Sequence, residues 1–196
     1  MANSKVSICN NALLLIGCNP ITSLTDGNKA ANACNLVFDR TLDTLLRMHL
    51  WNFAVTRATL ASETATPAFG YAYSYPLPAD YIRIVGLEDT NTQYKIERGK
   101  LLTDANVVNV VYISRIEDVT KYDPLFVEAF ILMLAMNLSY ILIGSHQRIG
   151  SLKEEFERKL FLAKQVDGQE DTPDQLQAET FLNARYGYDT SWGNPW

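Results

Sequence analysis

The period of the hydrophobic residues changes twice along this chain, and that change constrains the fold more than any other feature. Residues 4–50 carry apolar side chains at helical spacing, residues 51–113 alternate with a period of two, and helical spacing returns at Asp123. A helical period places one stripe of a helix in a core, whereas a period of two places alternate residues of a strand there. We therefore expect an α+β fold, a helical bundle built from N- and C-terminal helices with a small antiparallel β-domain inserted between them.

Two helices are predicted before the first change of period. The first covers residues 4–16, with Ser4 as its N-cap. The second begins after a cap at Thr25 or Asp26, carries one apolar stripe, and ends near Leu50. Both helices have the length and patterning of bundle helices.

Six short strands are predicted in the middle of the chain. The first contains Trp51, Phe53 and Val55, and the others cover residues 71–77, 81–87, 93–97, 100–103 and 107–113. Turn-forming residues separate them, which favours antiparallel neighbours in a compact sheet or partial barrel. The segment from Ala61 to Gly70 is rich in Ala, Thr and Ser and is predicted to be a loop.

Asp123 followed by Pro124 is typical of a helix start, and the segment that follows, up to Ile143, is the most apolar of the chain. Glu128 interrupts it, and the apolar run after Glu128 is shorter than the roughly 20 residues that a bilayer crossing needs. We expect a helix buried on most sides and no membrane partner.

An amphipathic fourth helix is predicted after Gly144, with its apolar stripe running from Ile149 to Ala163. Two i,i+4 ion pairs are expected on its outer face, Glu154 with Arg158 and Glu155 with Lys159. The predicted organisation is a bundle from residues 1–50 and 116–166, a β-domain from residues 51–115, and a tail from residues 167–196.

The negative charge lies in that tail. Residues 167–196 hold six acids and one base, and subtracting these from the totals of 22 and 17 leaves 16 of each in residues 1–166. Phosphate neutralisation needs clustered Lys and Arg, so a neutral body without a basic run argues against a stand-alone nucleic-acid binder.

The tail also carries large apolar side chains, which a merely solvating segment does not need. Such anchors on an acidic segment indicate that it orders on a partner, and the alternative is that they pack against their own domain. The predicted partner-binding residues are Phe181, Leu182, Tyr186, Tyr188, Trp192 and Trp196.

Catalytic and metal-binding patterns are weak. His49 and His146 lie in no recognisable motif, and the three cysteines, Cys9, Cys18 and Cys34, are expected to be packed thiols within helices. The sequence therefore predicts no enzyme, no cofactor and no metal. The alternative is a peptidoglycan hydrolase carried in a virion tail, with its acid among three carboxylate pairs: Glu88-Asp89, Glu117-Asp118 and Glu154-Glu155.

A collinear set of segments resembles one known family. The set comprises Ile8-Cys9-Asn10-Asn11-Ala12-Leu13, Ile16-Gly17, Ile21 to Leu24, Ala30 to Trp51, and Tyr75-Pro76-Leu77-Pro78-Ala79-Asp80-Tyr81-Ile82-Arg83. Its most specific parts are the end of the second helix, with Leu46, Trp51 and Phe53, and the PLPADY strand entry. Over roughly Asn3 to Leu160 the chain resembles the tail tubular protein A family, the head-to-tail adaptors of short-tailed phages.

That resemblance implies a structural virion protein that is made in the host cytoplasm and lies in the tail beneath the portal vertex. It implies a homo-oligomeric, dodecameric ring between the portal protein and the tail nozzle protein, with double-stranded DNA passing through without being read. We expect the C-terminal segment to dock on the portal and the loops of the β-domain to face the nozzle.

Overall fold

The computed structural model describes residues 4–144 and 146–170, and it confirms the α+β fold. Its helices are α1 (Lys5–Leu15), α2 (Lys29–Met48), α3 (Pro124–Leu142) and α4 (His146–Gln169). Its strands are β1 (Val55–Leu60), β2 (Tyr73–Pro76), β3 (Tyr81–Leu87), β4 (Tyr94–Glu97), β5 (Lys100–Thr103) and β6 (Val108–Ser114). The helices flank the β region along the chain, as the change of period predicts.

The helix starts are set by side-chain caps. Ser4 Oγ accepts a hydrogen bond from the N–H of Ser7 at 3.0 Å, which confirms the cap of α1. Asp123 Oδ1 accepts from the N–H groups of Leu125 and Phe126, which confirms the start of α3. The predicted cap of α2 is wrong, because Asn28 Oδ1 accepts from the N–H of Ala31 at 2.8 Å.

Asp26 has a different role in the loop before α2. Its carboxylate accepts hydrogen bonds from the N–H groups of Thr22 and Ser23 and from the Thr22 hydroxyl. These bonds lower the pKa of Asp26. Asp26 therefore closes the turn between α1 and α2 and leaves the cap position to Asn28.

The strands form two three-stranded antiparallel sheets in place of the single sheet or barrel that we predicted. The first has the order β1-β6-β3 and the second the order β2-β5-β4. The β4–β5 hairpin turns at Arg98 and Gly99, both with positive φ, as in the two-residue turns that suit the twist of antiparallel strands. The predicted strand at Trp51 is wrong as well, because Asn52–Ala54 is a 3-10 turn and β1 starts at Val55.

Two hydrophobic cores result. The large core holds the inner faces of the helices together with Trp51 and Ile113, while a small core holds Tyr75, Leu101 and Val108 between the two sheets. Trp51 is fully buried because its ring packs edge-on against Phe126 at 4.9 Å and its Nε1–H donates to a backbone carbonyl of α2.

Charged side chains fasten α2 to the β region. Arg115, just after β6, lies 3.0 Å from Asp39 and 2.8 Å from Asp43. The contact with Asp43 is ionic and not a directed hydrogen bond, since neither of its two buried atoms has an aligned partner. Arg47 donates to the carbonyl of Ile82 in β3. The first sheet is therefore fixed against the end of α2.

Candidate interaction surfaces

The loop between β1 and β2 is anchored at its start by Glu63. The Glu63 carboxylate accepts from Lys100 Nζ at 2.7 Å and from the Ser74 hydroxyl at 3.0 Å, and its N–H donates to the Ser74 carbonyl. The hydrogen bond from Lys100, and to a smaller extent the one from Ser74, holds the pKa of Glu63 below its ordinary value. The start of the loop is therefore fixed to the second sheet.

The end of the same loop is also anchored, and its tip presents an aromatic ring. The N–H of Ala72 donates to Asp104 Oδ1 at 2.8 Å. Between the anchors, the Phe69 side chain is 89% exposed and lines a recess together with Lys95 and Arg98. Phe69 is the most exposed large apolar side chain of the described residues, which makes it a candidate contact for a partner.

A second surface is a groove among α1, α3 and α4. Its apolar lining includes Leu14, Leu15 and Ile131, and its acidic lining consists of Glu128 and Glu155. Leu14 is 59% exposed although α1 already buries four other apolar side chains. This helix therefore presents more apolar surface than the core of this chain covers.

Helix α3 contributes to the same surplus of apolar surface. Pro124–Leu142 is long and apolar enough to cross a membrane by length and composition, and half of that span is buried in the fold. It packs against α1, α2 and α4, while Tyr140 and Ile143 at its end are exposed. The expectation of burial on most sides therefore holds for its inner face and fails at its C-terminal end.

The end of α4 is held by the buried carboxylate of Asp167, a residue that the predicted organisation assigns to the tail. Asp167 is only 8% exposed and accepts from His49 Nε2 at 3.0 Å and from the N–H of Asn52 at 3.1 Å. Asn52 Nδ2 also donates to the carbonyl of Asp167 at 2.7 Å. Helix α4 extends to Gln169, and these bonds fix its C-terminal end beside the end of α2.

His49 therefore has a structural role at the corner between α2 and β1, where its ring also packs edge-on against Trp51. His146 is the first residue of α4 and not part of a turn. The six predicted partner-binding residues, Phe181, Leu182, Tyr186, Tyr188, Trp192 and Trp196, lie outside the described residues.

The three cysteines are free thiols. Cys9 and Cys34 are fully buried. The hydrogen bond between the two thiols is the main cause that raises the pKa of Cys9, and burial is the second cause. Cys18 lies beyond the end of α1, contrary to its predicted place in a helix. Over residues 4–144 and 146–170, no cluster of His, Cys, Asp and Glu has the arrangement of a metal site.

Neither a family model nor a curated protein matches this chain.

In two of the three carboxylate pairs considered for glycan hydrolysis, the aspartate is engaged in a local turn. Asp89 accepts from Asn91 and Thr92, Asp118 accepts from Thr120, and these bonds lower the pKa of both aspartates. A glycosidase acid needs a raised pKa, so the environment of both groups is opposite to that requirement.

The third carboxylate pair, Glu154 and Glu155, lies on α4. Neither glutamate forms the ion pair predicted for it, with Arg158 or with Lys159. Lys159 Nζ lies 3.4 Å from Glu128 of α3, and the i,i+4 pair recorded on α4 is Lys153 with Glu157. The charges of α4 therefore serve partly to join it to α3.

Sequence reasoning missed three features of these surfaces. The sequence contains Phe69 in a Gly- and Ala-containing loop, and that lone aromatic residue was the available signal. On α1, Leu14 and Leu15 follow Leu13 directly, so the apolar residues cover more than one face of the helix. That excess was a second signal of an exposed apolar surface. Nothing local marks Asp167, because its partners are more than 100 residues away in the sequence.

Proposed function

We propose that this protein is a head-to-tail adaptor, a structural virion subunit that forms a ring between the portal and the tail nozzle of a short-tailed phage. The observation that carries the proposal is the placement of large exposed apolar side chains on two separately packed regions. Leu14 and Tyr140 lie on the helices, and Phe69 lies on the loop of the second sheet. A ring subunit needs surfaces for its sister copies as well as for the components above and below it.

The resemblance described above gives these surfaces their partners. The helical surfaces face sister copies, the Phe69 loop faces the nozzle, and the aromatic residues of the C-terminal segment bind the portal. The fixed position of Asp167 supports this last assignment, because a segment that starts from a rigid point loses less freedom when it docks. The nearly neutral body suits a ring through which duplex DNA slides, since dense positive charge retards sliding.

Attachment of the protein to portal-bearing heads tests the assignment. Deletion of residues 176–196 should leave thermal unfolding of the subunit nearly unchanged and abolish attachment. A finer pair of variants isolates the aromatic anchors: Trp192→Ala with Trp196→Ala should weaken attachment at least tenfold, while Gln175→Ala with Gln177→Ala should not. If the deleted protein attaches as the full chain does, the proposed function is wrong.

The nozzle-facing surface has its own test. Phe69→Ser should leave attachment to heads unchanged and reduce the recruitment of nozzle protein to heads that carry the adaptor. Thr66→Ala, in the same loop, is the matched control. Equal recruitment by the Phe69 variant and the wild type would remove the loop from the interface.

A further inference from the structure

Helix α2 presents a basic stripe with one exposed leucine. Lys29, Leu36 and Arg40 follow each other at seven and four residues, so they lie on one face of the helix. The Leu36 side chain is 73% exposed. A single exposed leucine is ordinary on a protein surface, so the charges beside it must decide whether the stripe is a binding surface.

Both cations of this stripe are available. Over the part of the chain that the structure describes, the side chains of Lys29 and Arg40 form no ion pair. Their acidic neighbours Asp39 and Asp43 contact Lys5 and Arg115, and Arg115 also lies 3.9 Å from Glu117. The four cations of this region, with Lys29 and Arg40, face three carboxylates, which leaves a net charge of +1. The stripe therefore offers positive charge that its own subunit does not neutralise.

The groove among α1, α3 and α4 has the complementary character. Its Glu155 carboxylate makes no ion pair with any described residue, and Glu128 shares Lys159 at 3.4 Å. These three groups sum to a net charge of −1 beside the exposed side chains of Leu14 and Leu15. The groove thus combines uncompensated negative charge with apolar surface.

We propose that a second copy of this chain occupies the groove, with the α2 stripe of one subunit docked on the α1–α3–α4 groove of the next. Leu36 packs between Leu14 and Leu15, and Arg40 pairs with Glu155. The two surfaces are different, so the contact is heterologous and repeats around a closed ring. This inference rests on the proposed function and deepens it by naming the contact between sister subunits.

A charge swap tests the contact. Arg40→Glu alone and Glu155→Arg alone each place like charges together, whereas the variant that carries both restores opposite charges in every contact of the ring. Arg57→Glu makes the same change of charge on the first sheet and is the matched control. All three side chains are exposed or partly exposed, so thermal unfolding should change little.

Native mass spectrometry of the full-length protein titrated onto purified portal counts the copies bound per portal. We expect the wild type, the control and the double variant to fill the portal cooperatively. Each single variant should bind its first copies through the C-terminal segment, yet need at least tenfold more protein to complete the ring. Tenfold corresponds to about 1.4 kcal/mol, within the range of coupling between close charges at an interface.

The outcomes separate this contact from the proposed function. If the wild type binds no portal, both are overturned. Should the single variants fill the portal like the Arg57→Glu control, or should the double variant fail to recover, the contact is wrong while the adaptor function stands. Protection of Leu14 and Leu15 from hydrogen exchange by the first bound copy alone would assign the groove to the portal and overturn the contact as well.

Discussion

Replacement of Asp167 by Ala should destabilise the protein, because it removes one buried carboxylate together with both of its contacts. The change removes the acceptor of the Asn52 N–H and the partner of His49. A buried donor left without an acceptor costs about 1–3 kcal/mol, and the loss of the half-buried His49 contact adds to it. Removal of an acid from the last turn of α4 returns about 0.3–1 kcal/mol, because a negative charge is unfavourable at that end of a helix. The net loss is about 2 kcal/mol.

Urea unfolding measures this loss directly, and thermal unfolding should show a midpoint lower by about 4–8 °C for a chain of this size. Hydrogen exchange locates the effect: the amides at the end of α4 should exchange faster, while those in the middle of α3 should respond only through global unfolding. Asp167→Asn is the matched variant, since it keeps an oxygen acceptor for Asn52 and should cost less than Asp167→Ala.

The reasoning fails if Asp167→Ala unfolds within about 0.5 kcal/mol of the wild type and leaves exchange at the end of α4 unchanged. That result would mean that water replaces the carboxylate without loss. Glu170→Ala, three residues further along the chain and exposed, should lie within this margin and shows the background effect of removing one negative charge.

A buried ring, two glycines and the Glu63 anchor each give a further prediction. Phe130→Ala removes a fully buried ring and should lower the free energy of unfolding in urea by about 3–5 kcal/mol. Gly144→Ala should destabilise by about 1 kcal/mol because φ is +69° there. Gly150→Ala, inside α4 where an added Cβ would meet no other atom within 4 Å, should stabilise by about 0.5–1 kcal/mol in the same assay. Lys100→Met should return the pKa of Glu63 toward its ordinary value, as read by carboxyl NMR titration. In the wild type, the contacts of the ionised Glu63 carboxylate stabilise the fold at pH values above the ordinary pKa of glutamate. This stabilisation is lost as the pH falls through the lowered pKa of Glu63.

The parts of the fold that the sequence predicts well are those governed by local chemistry. Ser4 and Asp123 cap helices because their side chains reach backbone N–H groups two or three residues away. The Arg98-Gly99 turn sets the β4–β5 hairpin in the same local way. Such interactions can be predicted from a few neighbouring residues.

The errors arise where distant packing decides. Trp51 fits an alternating pattern, yet its ring is taken up by the helical core against Phe126, so the chain makes a turn before β1 begins. The division into two sheets depends on which distant strand each strand pairs with, and the alternation within a strand does not reveal its partner. Asp167 belongs to the same class, because its partners His49 and Asn52 lie in the segment between α2 and β1, more than 100 residues away.

The candidate surfaces illustrate a limit of hydrophobic patterning and also its use. Helix α1 buries Ile8 and Leu13 and leaves Leu14 and Leu15 exposed, so apolar residues occupy both of its faces. A pattern of this kind does not show which face enters the core. It does show that one core of this size cannot cover them all, and the remaining face then has a strong tendency to associate. That surplus, together with the charges of opposite sign on α2 and in the groove, is the observation that supports the proposed contact between copies of this chain.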